Sequence, residues 1–295
     1  MTWHNNNQGH TTESEAISEP ESETKIAHKL INHITDSVRL CMPNCDGVAF
    51  SGGIDSALIA SVAASINPWI KLYAIGMSGS HDLKQAEQAA TLLGLHDQLH
   101  ICECAPAEIK SAIPPVVRAI RSTSPVAVGI GLCIYFVSRC AHVHGDSVLM
   151  TGQGADELFA GYKRYEQAFD DGRLDSELNK DILTLPAQLA RDSAVAQLNN
   201  VELRMPILGP DVVDLARKID VRLKIHRGDG YIRKYILRKA SENYLPTEIA
   251  QAPKKAAQYG TRIQSALRKM ARRDGLTQED FLRSMLLQNT RVQQC

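Results

Sequence analysis

The sequence predicts an α/β protein, a parallel sheet with helices on both faces, followed by a mostly helical C-terminal lobe. Three observations predict it. Short, continuously apolar stretches alternate with longer stretches of helical period, as they do when buried parallel strands are joined by crossover helices. The first junction, "VAFSGGIDSALIA" from Val48 to Ala60, passes from strand to helix through Ser-Gly-Gly. Beyond Ala155 the apolar spacing is helical, and no strand is read there.

Taken in order, residues 1–24 are rich in Asn, Ser, Glu and Thr without an apolar period, and read as a disordered polar tail. From Lys25, the spacing of Ile26, Leu30, Ile34 and Val38 predicts a helix. "GVAFS" is a short buried strand. Ile59, Val62, Ala63 and Ile66 mark the next helix, which Pro68 ends. A second strand, "IKLYAIGM", precedes a helix with Asp82 as its expected N-cap and Gln85 three residues on. Leu83, Ala86, Ala90 and Leu93 form its stripe, and Gly94 stops it. "HDQLHIC" and "SVLMTG" are the third and fourth strands. Between them a long helical region, about 106–144, is broken near "STSP". The expected division is an α/β core over about 25–170 and a helical lobe over about 171–287.

A chain of 295 residues can bury a full core. Lys plus Arg, 33, equals Asp plus Glu, 33, so no global field recruits nucleic acid or an anionic membrane. No uninterrupted apolar run reads as long enough to span a bilayer. The start, "MTWHNNNQGHTTESE", is unlike a signal peptide, and the cytoplasm is the expected compartment. The seven cysteines, an odd number in a chain that needs no staples, read as reduced thiols. Neither the Cys41–Cys45 nor the Cys102–Cys104 spacing matches a common zinc pattern.

Parallel sheets bind ligands at the carboxyl ends of their strands, where the helices begin. "SGGIDS" sits at such a place. Its glycines permit a sharp turn and a close backbone approach, Ser51 and Ser56 offer hydroxyls, and the helix start favours an anion. Asp55 would repel a bare phosphate. A magnesium ion bridging carboxylate and phosphate oxygens resolves that conflict. The loop lacks the Gly-Lys-Ser/Thr ending of a Walker motif. Its simpler reading is a helix N-cap with no ligand.

"SGGIDS" resembles the pyrophosphate loop of the ATP pyrophosphatases. "IGMSGSHDLKQAEQAATLLG", "IRSTSPVAVGIGLCIYFVSR", "LMTGQGADELFAGYKRY", "RDSAVAQLNNVELRMPILGPDVVDLA" and "APKKAAQYG" are similar, in the same order, to motifs of the asparagine synthetase C-terminal domain. The resemblance runs from about Gly47 to Arg268. It implies an adenine nucleotide alpha hydrolase-like fold and an ATP-dependent amide-forming ligase. By position it implies that Ser51, Gly52, Gly53 and Ser56 hold the pyrophosphate of ATP. It implies that Asp55 and Asp156 hold Mg2+, and that Thr151 and Gly152 line the nucleotide and acyl-adenylate pocket. Lys254 would stabilise charge on the leaving group. The implied reaction adenylates a carboxylate, aspartate in the family, and then transfers it to ammonia.

Two departures qualify this. The residues before Lys25 contain no cysteine with which to build a glutaminase, so ammonia is expected to be free or supplied by a separate glutaminase subunit. Gln153 stands where asparagine synthetases carry Glu. An amide has no titratable group near neutral pH, so neutral ammonia or another base such as Glu157 must serve. Two other readings remain. One is a tRNA-thiolating enzyme of the same fold, suggested by Cys41, Cys45, Cys102, Cys104 and "RKMARR", and opposed by the neutral charge and by "TGQGADELFAGY". The other is a nucleotide-binding relative without ligase activity, for which Gln153 speaks.

Overall fold

Five short stretches become one parallel sheet: β1 (Gly47–Ala49), β2 (Lys71–Gly76), β3 (Leu99–Glu103), β4 (Val148–Met150) and β5 (Glu202–Arg204). The strand order is β3-β2-β1-β4-β5, with Val48 beside Leu72, Gly47 beside Leu149, and Leu149 beside Leu203. A separate antiparallel hairpin pairs β6 (Ile225–Arg227) with β7 (Tyr231–Arg233). The computed structural model describes residues 22–252 and 260–292.

Helices cover both faces. On one side α1 (Glu23–Cys41), α2 (Ile54–Ile66) and α3 (His81–Leu92) share a core built on Leu30, Ile34, Leu58, Ile59 and Leu72. On the other, α4 (Pro106–Ile120) and α5 (Pro125–Val143) bury Ile113, Val116, Leu132 and Phe136 against Tyr73 and Leu149. The chain then continues through α6 (Ala155–Leu158), α7 (Arg164–Asp170) and α8 (Leu174–Ala196). It ends in α9 (Pro210–Lys218), α10 (Val221–Lys224), α11 (Tyr235–Ser241), α12 (Thr247–Ala250), α13 (Ile263–Arg273) and α14 (Gln278–Val292). The break expected near "STSP" lies between α4 and α5: Arg121 turns left-handed and Pro125 opens the next helix.

Four expectations are corrected. Three strands lie beyond Ala155: the β6–β7 hairpin and β5, where "ELR" pairs with β4 at the sheet edge and needs only one buried side chain, Leu203. The N-cap of α3 is Ser80, whose hydroxyl accepts from Leu83 N; Asp82 lies inside the first turn and is buried. Not all thiols are free: β3 faces the second half of α5, and Cys102 and Cys140, with Cα atoms 6.0 Å apart, are joined as a disulfide. Finally, α5 is long and apolar enough to cross a bilayer, at a mean hydropathy of 1.7. Ser138 and Arg139 interrupt its apolar run without lowering the average enough to matter. More than half of that helix is buried within the protein.

The tail read over residues 1–24 lies mostly outside the described residues. Where description begins, Ser22 caps α1 and accepts from Lys25 N, so the helix starts two residues before Lys25.

Lys224 closes α10 and is 2% exposed. Burial pushes its ammonium down to about 8, and the nearby Asp175 offsets only part of that. The unfolded value is about 10.4. A depressed folded value gives a contribution complete above the unfolded pKa and lost as pH falls through 8, so at neutral pH the charge is a burden. Lys224→Met is expected to stabilise the protein at pH 7 by about 3 kcal/mol, or about 5 °C in Tm. Thermal melts should show the gain shrinking toward pH 10. An equal gain at both pH values would show that charge burial is not its cause.

Candidate active site

Chain order fixes where a ligand can enter the sheet. From β1 the chain lays β2 and β3 to one side, then crosses back to place β4 and β5 on the other. The reversal falls between β1 and β4, and the crevice beyond the carboxyl ends of such a pair is the binding place of an open α/β sheet. The two motif loops leave from these two strands.

The first loop is folded around its own hydroxyls. Ser51 N donates to Ser56 Oγ at 3.2 Å, the two hydroxyl oxygens are 3.2 Å apart, and Ser56 Oγ donates to Gly53 O at 3.1 Å. Gly52 has φ +71°, and a Cβ there would lie 2.5 Å from Gln85 O of α3. Only glycine fits. Gly53 is the N-cap of α2, where no side chain makes a cap hydrogen bond, leaving that helix start open to an anion.

The second loop is pinned to β5, since Thr151 N donates to Arg204 O at 2.8 Å. Gly152 touches the first loop: a Cβ there would lie 2.8 Å from Asp55 Cβ and 3.3 Å from Ser56 N. Gly154 then turns with φ +89° into α6, whose first turn carries Asp156 and Glu157. The Glu157 carboxylate is 4% exposed and accepts from Tyr162 OH at 2.6 Å. Burial, with Glu157 and Asp156 nearby, pushes the Tyr162 phenol well above its usual value.

Between the loops stands a residue that the sequence reading missed. Lys234, 1% exposed, adopts left-handed backbone at the start of α11. Its Nζ lies 2.7 and 2.6 Å from the two oxygens of Asp55 and 2.6 Å from Asp156 Oδ1. Burial alone would depress this ammonium. The charges and hydrogen bonds of Asp156 and Asp55 outweigh it and hold the pKa above the ordinary lysine value. Two carboxylates from separate loops thus converge on one point. Hard oxygen donors so arranged suit magnesium, and they fit the ion that the loop implies; here the point is held by Lys234.

The cavity beside this cluster has a volume of about 310 Å³. Ser51, Asp55, Ser56, Gly152, Gln153 and Asp156 line it together. Gly52, Gly53 and Thr151 lie in the same two loops and shape them from behind. Lys254 lies outside the described residues. Two helical stripes complete the wall at positions i, i+3, i+4 and i+7: Ile130, Cys133, Ile134 and Val137 of α5, and Leu185, Gln188, Leu189 and Asp192 of α8. Asp192 is 2% exposed. Its Oδ2 accepts from Gln153 Nε2 at 2.5 Å and its Oδ1 from Arg191 Nε at 2.7 Å. Thr151 Oγ1 donates to Gln153 Oε1 at 3.1 Å, so the amide is oriented from both ends.

The cysteines contribute little here. Among the described residues Cys41, Cys45, Cys104 and Cys133 are free. Burial pushes Cys45 up to about 11 and Cys104 and Cys133 up to about 12. Only Cys133 lines the cavity. Cys102, Cys140 and His144 lie close enough to share a metal, but the two sulfurs are bonded to each other.

A five-stranded parallel sheet, with an uncapped Ser-Gly-Gly loop and an acidic second loop on either side of its switch point, defines an open α/β protein with its candidate site at the carboxyl ends of the strands. Comparison with known proteins narrows this. The chain belongs to the asparagine synthase family, whose model matches residues 29–183 and 170–295. It is 34% identical over 266 residues to a protein of Methanocaldococcus jannaschii named among the glutamine-hydrolyzing asparagine synthetases, covering 79% of this chain and 49% of that protein. It is 30% identical over 220 residues to asparagine synthetase B [glutamine-hydrolyzing] of Escherichia coli, covering 69% of this chain and 39% of that one. The chain therefore spans half or less of the length of these relatives. Among solved structures, the NH3-dependent NAD synthetase of Campylobacter jejuni aligns over 92% of this chain and 96% of its own. That match has 16% identity and a TM-score of 0.41.

Proposed function

We propose that this chain is an ATP-dependent amide-forming ligase. It activates a carboxylate, with aspartate as the first candidate, as an acyl-adenylate with release of pyrophosphate. Ammonia then takes the acyl group and AMP leaves. The observation that carries this reading is the meeting of the two loops at the switch point, with Asp55, Asp156 and Lys234 on one side of the cavity.

In this reading the open start of α2 and the hydroxyls of Ser51 and Ser56 hold the pyrophosphate. Asp55 and Asp156 hold magnesium, which when bound neutralises charge on the departing phosphates. Lys234, relieved of one or both carboxylates, turns its ammonium toward the same phosphates and stabilises the charge that develops there. Gly152 keeps the loops close enough for one nucleotide to touch both. Ammonia is taken up free or from a separate glutaminase subunit. No nucleic acid or membrane takes part.

The test is direct. Purified protein with ATP, magnesium, aspartate and ammonium should release AMP and pyrophosphate and form asparagine. Glutamine alone should yield no glutamate. If ATP is never cleaved to AMP with aspartate and ammonium, the reading fails.

A further inference from the structure

Resting on that reading, we propose that Asp192 is the catalytic carboxylate of the amide-forming step, the group that receives the proton from the attacking nitrogen. The step needs such a group. Attack by neutral ammonia forms the C–N bond and leaves a positive nitrogen on the tetrahedral adduct. The C–O bond to AMP then breaks with its electron pair going to the phosphate oxygen, and the nitrogen must shed a proton. Gln153 reaches the cavity but has no site that can take one.

The cavity's other carboxylates are engaged elsewhere. Asp55 and Asp156 grip Lys234 beside the expected phosphates, and Glu157 accepts from Tyr162. Asp82 lines the cavity from the first turn of α3, the helix that follows β2, and packs against Gly260. Asp192 differs in position. It ends the cavity-facing stripe of α8, is 2% exposed, and touches Gln153 of the second loop through Oδ2. Arg191 holds Oδ1, which fixes the carboxylate plane. Each carboxylate oxygen has two lone pairs, so Oδ2 can accept from Gln153 and from an incoming N–H at once. Gln153 becomes a positioning residue: Thr151 orients its amide, and its Nε2 aims Asp192 into the cavity.

The experiment separates the two half-reactions. Aspartate-dependent exchange of pyrophosphate into ATP reads adenylation, and asparagine formation from ammonium over pH 6.5 to 9 reads the second step. Asp192→Asn should keep exchange within about threefold while amide formation falls by roughly a hundred- to ten-thousand-fold. The loss should be greatest at the low-pH end. Gln153→Glu in the Asp192→Asn background should recover at least tenfold, since it returns a carboxylate to the adjoining position. Unchanged amide formation in Asp192→Asn, equal loss of both half-reactions, or no recovery in the double variant would overturn the assignment. Wild-type protein without any exchange would instead overturn the ligase reading on which it rests.

Discussion

Asp55→Asn and Asp156→Asn are each expected to lower AMP formation by roughly a thousandfold or more. Each carboxylate sits on its own loop, and the two converge on one point from opposite sides of the switch. Asp55 is the one carboxylate of the first loop, and Glu157 of the second is occupied by Tyr162 OH, so losing either aspartate opens the clamp on whatever cation neutralises the leaving pyrophosphate. The fold should survive. In either variant Lys234 keeps the remaining carboxylate as a partner, and asparagine fills nearly the same space. Melting temperatures near wild type with AMP release lost would bear this out. Near-normal turnover in both variants would sink the assignment of these residues to the phosphates.

Lys234→Met should have the opposite profile, a large loss of stability alongside lost activity. Removing one partner from a buried ion pair costs about 3–5 kcal/mol, because the remaining charge keeps its desolvation without its counter-ion. Here two carboxylates lose the ammonium between them, each no more than a fifth exposed. Like charges so close cannot both stay ionised easily, and one is expected to bind a proton in the variant. The folded variant then takes up protons that the unfolded chain takes up only at lower pH, so the deficit should narrow from pH 8 to pH 5. Chemical denaturation at the two pH values reads this directly. A variant as stable as wild type at pH 8 would mean that the ammonium does not hold the loops together.

The parts of this site that are local in sequence could be read from it. Ser51 to Ser56 announce themselves because an apolar strand must turn sharply into a helix, and Gly52 and Gly53 are the residues that let it. The strand and the loop around Gly152 are legible for the same reason. Lys234 is not. It lies 179 residues from Asp55, in a stretch, "YIRKYILRK", where nothing in the spacing of the basic residues singles one out for burial. Asp192 joins Gln153 across 39 residues, and nothing in its own helix marks one acidic residue for burial. Cys102 and Cys140 are a similar case, brought together only by the packing of a helix on an edge strand. Strand β5 escaped because two of its three residues are charged, and an edge strand needs little hydrophobicity to pair. Between Ser80 and Asp82, two residues equally suited to capping, sequence spacing pointed to the second and the structure uses the first.

The bridging lysine has a consequence for how such a site waits. Its charge and those of Asp55 and Asp156 leave one negative charge over, so the resting loops carry half of their own counter-ion as part of the chain. Segments from the first strand loop, the second strand loop and the start of α11 are tethered before any nucleotide arrives. Under the proposed reaction, loading would be an exchange of cations at fixed anions, the metal taking over the carboxylates and the lysine passing to the phosphates. A pocket built this way does not have to assemble around its substrate. It has only to change partners.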